Sequence, residues 1–265
     1  MEGAGMGSFF AVTLLASSCI AADPVPGCTP TSYLYQPAFC IDHELRQPAE
    51  PYVPQPGDLF LCTGCEMWAK LGHFVAFASA PQHSGIVWAR PDGTMALLEG
   101  GPRNTLHCNS LDLLDELSFY ATHERIWIRR RCIPLTPEQC AALTDFALKT
   151  EGKRFGLWRM FAQVTPFRCR GPIRTEFMGK PHGCDHSSYY CAELVMEACV
   201  AAGLLDPEDT RPAATFPRDI FYGRSWNPFI DRHLDLSAWC PPARWTLCPG
   251  TEPKLSHFKI LDGDN

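Results

Sequence analysis

Hydrophobic and polar positions along the chain are patterned strongly enough to predict a run of elements. Gly57-Asp58 reads as a turn, and Leu59-Phe60-Leu61-Cys62 after it as a short buried strand. His83-Ser84-Gly85-Ile86-Val87-Trp88 and Thr94-Met95-Ala96-Leu97-Leu98-Glu99 read as two strands of a hairpin. Asp112 to Phe119 suits a short helix, and Arg125-Ile126-Trp127-Ile128-Arg129 alternates like a strand. Thr136-Pro137-Glu138-Gln139 offers an N-cap, a proline at the first helical position and a capping-box glutamine. The apolar stripe Cys140, Leu143, Phe146 and Ala147 follows, with an end near Gly152. A last helix is predicted from Cys191 through Leu194, Val195, Ala198 and Ala202 to a stop at Gly203, capped by Ser187 or Ser188.

The hairpin turn sets a register. In Arg90-Pro91-Asp92-Gly93-Thr94, proline presets φ, aspartate suits the second loop position and glycine takes the left-handed third, so Arg90 pairs with Thr94. Counting back, Glu99 falls opposite Gly85 and projects from the same face as His83. A two-residue loop would place them on opposite faces. Gly85 between them leaves room for a substrate or another side chain to approach.

Outside these elements the pattern fades. Residues 1–22 contain an uncharged apolar run, Ser8 to Ala22, too short to span a bilayer but of signal-peptide length. The segment before it carries Glu2 and no Lys or Arg. A lipoprotein reading through Cys19 meets Ala16 where a large aliphatic residue is usual. The expectation is an exported chain, periplasmic or extracellular, with a cytoplasmic one as the alternative. Residues 23–55 form a proline-rich arm, 56–225 the body and 226–265 a tail. Residues Phe155 to Gly183 mix aromatics, Met160, Met178, arginines and glycines, as an insertion or lid lining an acyl pocket would.

A chain of 265 residues can bury a full core without staples, and a formal charge of −6 with scattered acids and bases supplies no basic field for nucleic acid. Fourteen cysteines suggest an oxidising compartment. With Cys19 and Cys191 set aside, the rest permit full pairing, although Cys140 and Cys199 fall on helical apolar faces where buried thiols are usual. Cys240 and Cys248 in the tail are candidates for a disulfide that wraps the domain. Cys62-Thr63-Gly64-Cys65 has the spacing of a zinc half-site, with His182, Cys184 and His186 as later partners, a reading ranked below disulfides or plain thiols. His73, His107 and His123 have no partner pattern.

The candidate chemistry lies in three residues. Cys191 opens a helix, where unpaired N–H groups and the helix dipole favour thiolate. His83 is a plausible base far upstream of it, and Glu99 the carboxylate that the hairpin register brings within reach of the imidazole. Tyr190 and Gly85 flank them as candidate substrate-binding residues. No metal or other cofactor is expected.

These motifs, in this order, resemble the permuted papain-like amidases of the YiiX and YaeF kind, in the wider NlpC superfamily, over roughly Pro56 to Tyr222. In ordinary papain-like enzymes the cysteine helix precedes the histidine strand, whereas here His83 and Glu99 come first. The resemblance implies an α+β, circularly permuted papain-like fold with a small antiparallel sheet packed on the Cys191 helix. It implies Cys191 as nucleophile, His83 as base and Glu99 as the orienting residue, acting on an amide or ester of a peptide, cell-wall or lipid-amide substrate. A thiol acyltransferase on lipid-like substrates is the alternative. A non-catalytic binding module or a zinc-stabilised scaffold is the reading from outside enzymology.

Overall fold

The computed structural model describes residues 32–35, 49–63, 79–156, 165–231 and 233–247. The apolar run 8–22, Cys19, Cys28, Cys40, Cys65, His73, Met160 and Cys248 lie outside them. The strands are β1 (Tyr33–Tyr35), β2 (Glu50–Pro51), β3 (Leu59–Cys62), β4 (His83–Ala89), β5 (Met95–Gly100), β6 (Cys108–Asp112), β7 (Ile126–Arg129), β8 (Arg154–Phe155), β9 (Ser188–Tyr189) and β10 (Ala243–Thr246). The helices are α1 (Leu113–Ala121), α2 (Pro137–Thr150), α3 (Cys191–Ala201) and α4 (Pro217–Tyr222).

Eight strands form one antiparallel sheet in the order β2-β1-β10-β7-β3-β4-β5-β6, and β8 and β9 make a separate parallel pair. The architecture is mixed α+β, with a sheet larger than the small one expected. The additional strands β1, β2 and β10 come from the proline-rich arm and the tail. They are too short to show a period-2 pattern, and their partners are remote in sequence.

The predicted turn forms. Arg90 N–H donates to Thr94 O at 2.8 Å, Gly93 N–H to Arg90 O at 2.9 Å, and Gly93 takes φ 84°. The Asp92 carboxylate closes the loop by accepting from the Thr94 N–H at 2.9 Å and the Thr94 hydroxyl at 2.7 Å. Gly85 then pairs with Glu99 as the turn chemistry requires.

Because successive strand residues point to opposite faces, the sheet has two apolar sides. Leu59, Leu61, Ile86, Trp88, Ala96 and Leu98 pack with Phe146 of α2, Leu194 and Val195 of α3, and Ile220 of α4. Phe60, Val87, Leu97, Ile126 and Ile128 pack with Leu113, Leu117 and Tyr120 of α1. Each large side chain buried in this way contributes roughly 1.5–3 kcal/mol, and the site lies where the two layers meet.

Helix starts follow local chemistry, with one correction. Thr136 and Gln139 form the reciprocal capping box at α2, at 3.3 and 3.0 Å. Asp112 caps α1 through the N–H groups of Leu114 and Asp115, at 3.1 and 3.2 Å. The cap of α3 is Tyr190 rather than Ser187 or Ser188, because Ser188 is paired with Arg154 in β9. Glu193 compensates by accepting the Tyr190 N–H at 3.3 Å. Helix α3 is also buried well beyond a stripe, since every residue from Cys191 to Cys199 is buried, Glu193 and Glu197 included. Phe216 caps the start of α4, stabilised by Asp219 accepting from the Phe216 N–H at 3.0 Å.

Cys132 and Cys240 form a disulfide that ties the segment after β7 to the tail that becomes β10. Cys140, Cys191 and Cys199 are free thiols, as their positions suggested, and the pairing that the cysteine count permits does not extend to Cys108 and Cys184, which are also free. Cys108 and Cys199 are fully buried and act as small hydrophobes, and burial pushes both thiols up to about 12. Among the described residues no helix is long and apolar enough to cross a membrane.

Candidate active site

The β4–β5 register places His83 and Glu99 on the α1 side of the sheet, one pair apart along the ladder. Their side chains meet, with His83 Nε2 2.6 Å from Glu99 Oε2. Glu99 is fully buried and the His83 side chain is 13% exposed. Gly85 makes the contact available. A Cβ at this position would stand 2.9 Å from Glu99 Cγ and 3.0 Å from Leu98 O, so the missing side chain lets Glu99 lie across β4. The room read at Gly85 in the sequence is therefore taken by Glu99 itself.

Cys191 arrives from the other side. Helix α3 packs on the face formed by Ile86, Trp88 and Leu98, and its first residue reaches the open end of the hairpin, where Gln82 and Gly100 lie. The Cys191 thiol stands 3.9 Å from Gln82 O. It also lies close enough to the His83 ring to favour the protonated imidazole, whose Nε2 meets Glu99. Burial on its own pushes the His83 pKa down. The hydrogen bonds to Cys191 and Glu99, with the charges of both, outweigh it and raise the pKa from 6.5 to about 10.

Behind Glu99 stands a set of side chains that the sequence patterning did not single out. The Tyr120 hydroxyl donates to Glu99 Oε2 at 3.1 Å, and the rings of Phe60 and Tyr120 pack against His83 at 6.1 and 5.8 Å between centroids. Glu116, one turn earlier on α1, is buried and pairs with Arg103 at 2.6 Å. Burial raises the Glu116 pKa, and the charge of Glu99 adds to this, against the Arg103 guanidinium. Tyr120 falls on the apolar stripe of α1, so pattern alone reads it as core. The signal that could have found it is a hydroxyl on a buried helical face one turn from a glutamate.

The remaining candidates are placed differently. Tyr190 is 8% exposed and its hydroxyl bonds the carbonyls of Pro212 and Thr215, at 3.1 and 3.4 Å. Its ring is thus turned into the body, and beside Cys191 it offers backbone. Of the suggested zinc partners, His186 meets a glutamate of α3 through its ring and His182 through its backbone. His186 Nδ1 lies 3.3 Å from Glu193, and Glu197 accepts the N–H groups of His182 and Gly183. The rings of His182 and His186 stack at 4.3 Å. Among the described residues no group of three or more His, Cys, Asp or Glu is arranged to hold a metal ion. His107 and His123 are exposed.

Fold and side chains together define a mixed α+β protein with a buried Cys–His–Glu cluster at the open end of an antiparallel hairpin. No protein-family model matches the chain, and no curated protein does. Among solved structures, a crystal structure described as the metalloprotein YiiX from Escherichia coli O157:H7 is similar at 15% identity and a TM-score of 0.39. The match covers 71% of this chain and 92% of that one.

Proposed function

We propose that this chain is a cysteine-dependent hydrolase of amides or esters, built on a permuted papain-like arrangement, in which Cys191, His83 and Glu99 act as nucleophile, base and orienting residue. The observation that carries the reading is the 2.6 Å bond from His83 Nε2 to Glu99, with the Cys191 thiol beside the same ring. In the reaction His83, kept protonated by its raised pKa, already holds the Cys191 proton, and Cys191 Sγ attacks the substrate carbonyl carbon as the thiolate of that ion pair. Backbone N–H groups at the start of α3, which lack intrahelical acceptors, stabilise the oxyanion. Collapse of the tetrahedral intermediate breaks the carbonyl bond to nitrogen or oxygen, and His83 returns the proton to the departing amine or alcohol. Water, deprotonated by His83, then attacks the thioester and releases the acid and the thiol. Glu99 holds the ring in place and balances the charge that His83 carries until it gives its proton to the leaving group.

The test is covalent labelling of the full chain with electrophiles carrying peptide or fatty-acyl groups, read by mass spectrometry of the modified peptide. Stoichiometric modification at Cys191 is expected, and preference among the electrophiles reports the substrate class. A Cys191 that reacts no faster than the half-buried thiols of Cys140 and Cys184, with all electrophiles, would favour a binding module instead.

A further inference from the structure

Glu99 carries both of its hydrogen bonds on one oxygen. Oε2 accepts from His83 at 2.6 Å and from the Tyr120 hydroxyl at 3.1 Å, while buried Oε1 has no hydrogen-bond partner among the described residues. The last torsion of a glutamate is broad, so the plane of an unrestrained carboxylate rocks about it. Something must hold this one. Tyr120 is itself held, at 3% exposure, by ring contacts of 5.2 Å to Phe60 and 5.7 Å to Phe119.

The Tyr120 hydroxyl has one proton to give, and a second carboxylate lies on its own helix four residues back. Glu116 is engaged at one oxygen, because Arg103 places Nε at 2.7 Å and Nη2 at 2.6 Å from its Oε2; its Oε1 is buried without a hydrogen-bond partner among the described residues, and the Tyr120 hydroxyl nonetheless donates to Glu99. Arg103 does this from a left-handed backbone, φ 48° and ψ 42°, the only non-glycine residue at positive φ among those described. Residues keep that conformation where surrounding contacts over-determine it. The Arg103 guanidinium also lies 4.6 Å over the Phe119 ring, beside Tyr120 in sequence.

We propose that Tyr120 is a positioning residue: its hydroxyl, donating to the oxygen that His83 also meets, holds the plane of the Glu99 carboxylate against the imidazole. The inference rests on the Cys191–His83–Glu99 reading above, and the test separates the two. In the full chain a short imidazole–carboxylate bond gives a far-downfield exchangeable-proton resonance, which is expected to vanish in Glu99→Gln. Tyr120→Phe keeps the ring packing and removes only the hydroxyl. The expected result is at least about fivefold faster exchange of that proton, the worth of one ordinary hydrogen bond, while thermal unfolding remains cooperative. Fluorotyrosine at 120 retains the hydroxyl and is expected to restore slow exchange. Being a stronger donor to the shared oxygen, it also moves the resonance.

A resonance that is absent from the wild type, or that survives Glu99→Gln, overturns the His83–Glu99 reading itself. A resonance lost in Glu99→Gln but unchanged by both replacements at 120 overturns the role of Tyr120 alone. Should Tyr120→Phe not fold, fluorotyrosine decides, since an unmoved line rules out a shared oxygen.

Discussion

Gly100 lies directly against the backbone of Cys191: a Cβ at position 100 would stand 3.3 Å from the Cys191 nitrogen and 3.4 Å from its Cα. The end of β5 therefore seats the start of α3 with no side chain between them. Gly100→Ala is expected to push the helix start away by a few tenths of an ångström, at a stability cost of about 1 kcal/mol. Labelling of Cys191 should slow by about tenfold, because small displacements of a reacting atom are costly. Labelling rates and melting curves check this, and an unchanged rate would show that the close approach is incidental.

Cys191, His83 and Glu99 are expected to fail as a unit. Cys191→Ala should abolish labelling and turnover, and His83→Ala should cost nearly as much, since residues acting together are not additive. Glu99→Gln should cost less, because an amide can still orient the ring. A folded His83→Ala protein with undiminished turnover would refute the assignment, and a silent Glu99→Ala would reduce the triad to a dyad.

The His83 pKa, raised from 6.5 to about 10 by its bonds to Cys191 and Glu99 against the effect of burial, has a signed consequence for stability. The folded state binds this proton more tightly than the unfolded chain. The stabilisation is thus fully present below pH 6.5 and is lost as pH rises through about 10. NMR titration should find a histidine far above the ordinary range that disappears in His83→Gln. The stability difference between wild type and His83→Gln should shrink between these limits. A His83 titrating near 6.5 would remove the ion-pair basis of the proposal.

The Cys132–Cys240 bridge closes a loop with a sequence separation of 108. On the chain-entropy account a loop of that size is worth about 5 kcal/mol. Cys132→Ser with Cys240→Ser should lower the denaturant midpoint accordingly. Labelling of Cys191 well below the transition should stay near the wild-type rate, since the bridge ties β7 to the tail rather than to the hairpin or α3. Equal midpoints for the double variant and the wild type would show that the bridge does not form in solution.

Local chemistry in the sequence determined much of the site. Proline, aspartate and glycine at 91–93 specify a three-residue loop, the loop specifies the register, and the register puts Glu99 on the His83 face through period-2 alternation. The capping box at Thr136 and the apolar spacing after Cys191 likewise define helices from neighbouring residues alone. Each of these depends on interactions within a few positions, which is why pattern suffices.

Tertiary structure decided what depends on distant partners. Strands β1, β2 and β10 have 3, 2 and 4 residues and exist only because β7 offers an edge for the tail and arm to extend. The same holds for the choice of Cys240 as the partner of Cys132 and for the burial of Glu193 and Glu197, whose partners lie in the loop before α3. Most consequential is the meeting of two faces. The His83–Glu99 pair lies on the α1 side and α3 on the other, and they come together because Gly85 and Gly100 lack side chains at the two points of closest approach. A glycine in a sequence signals freedom to approach, but the neighbour that fills the space is specified by packing across the sheet.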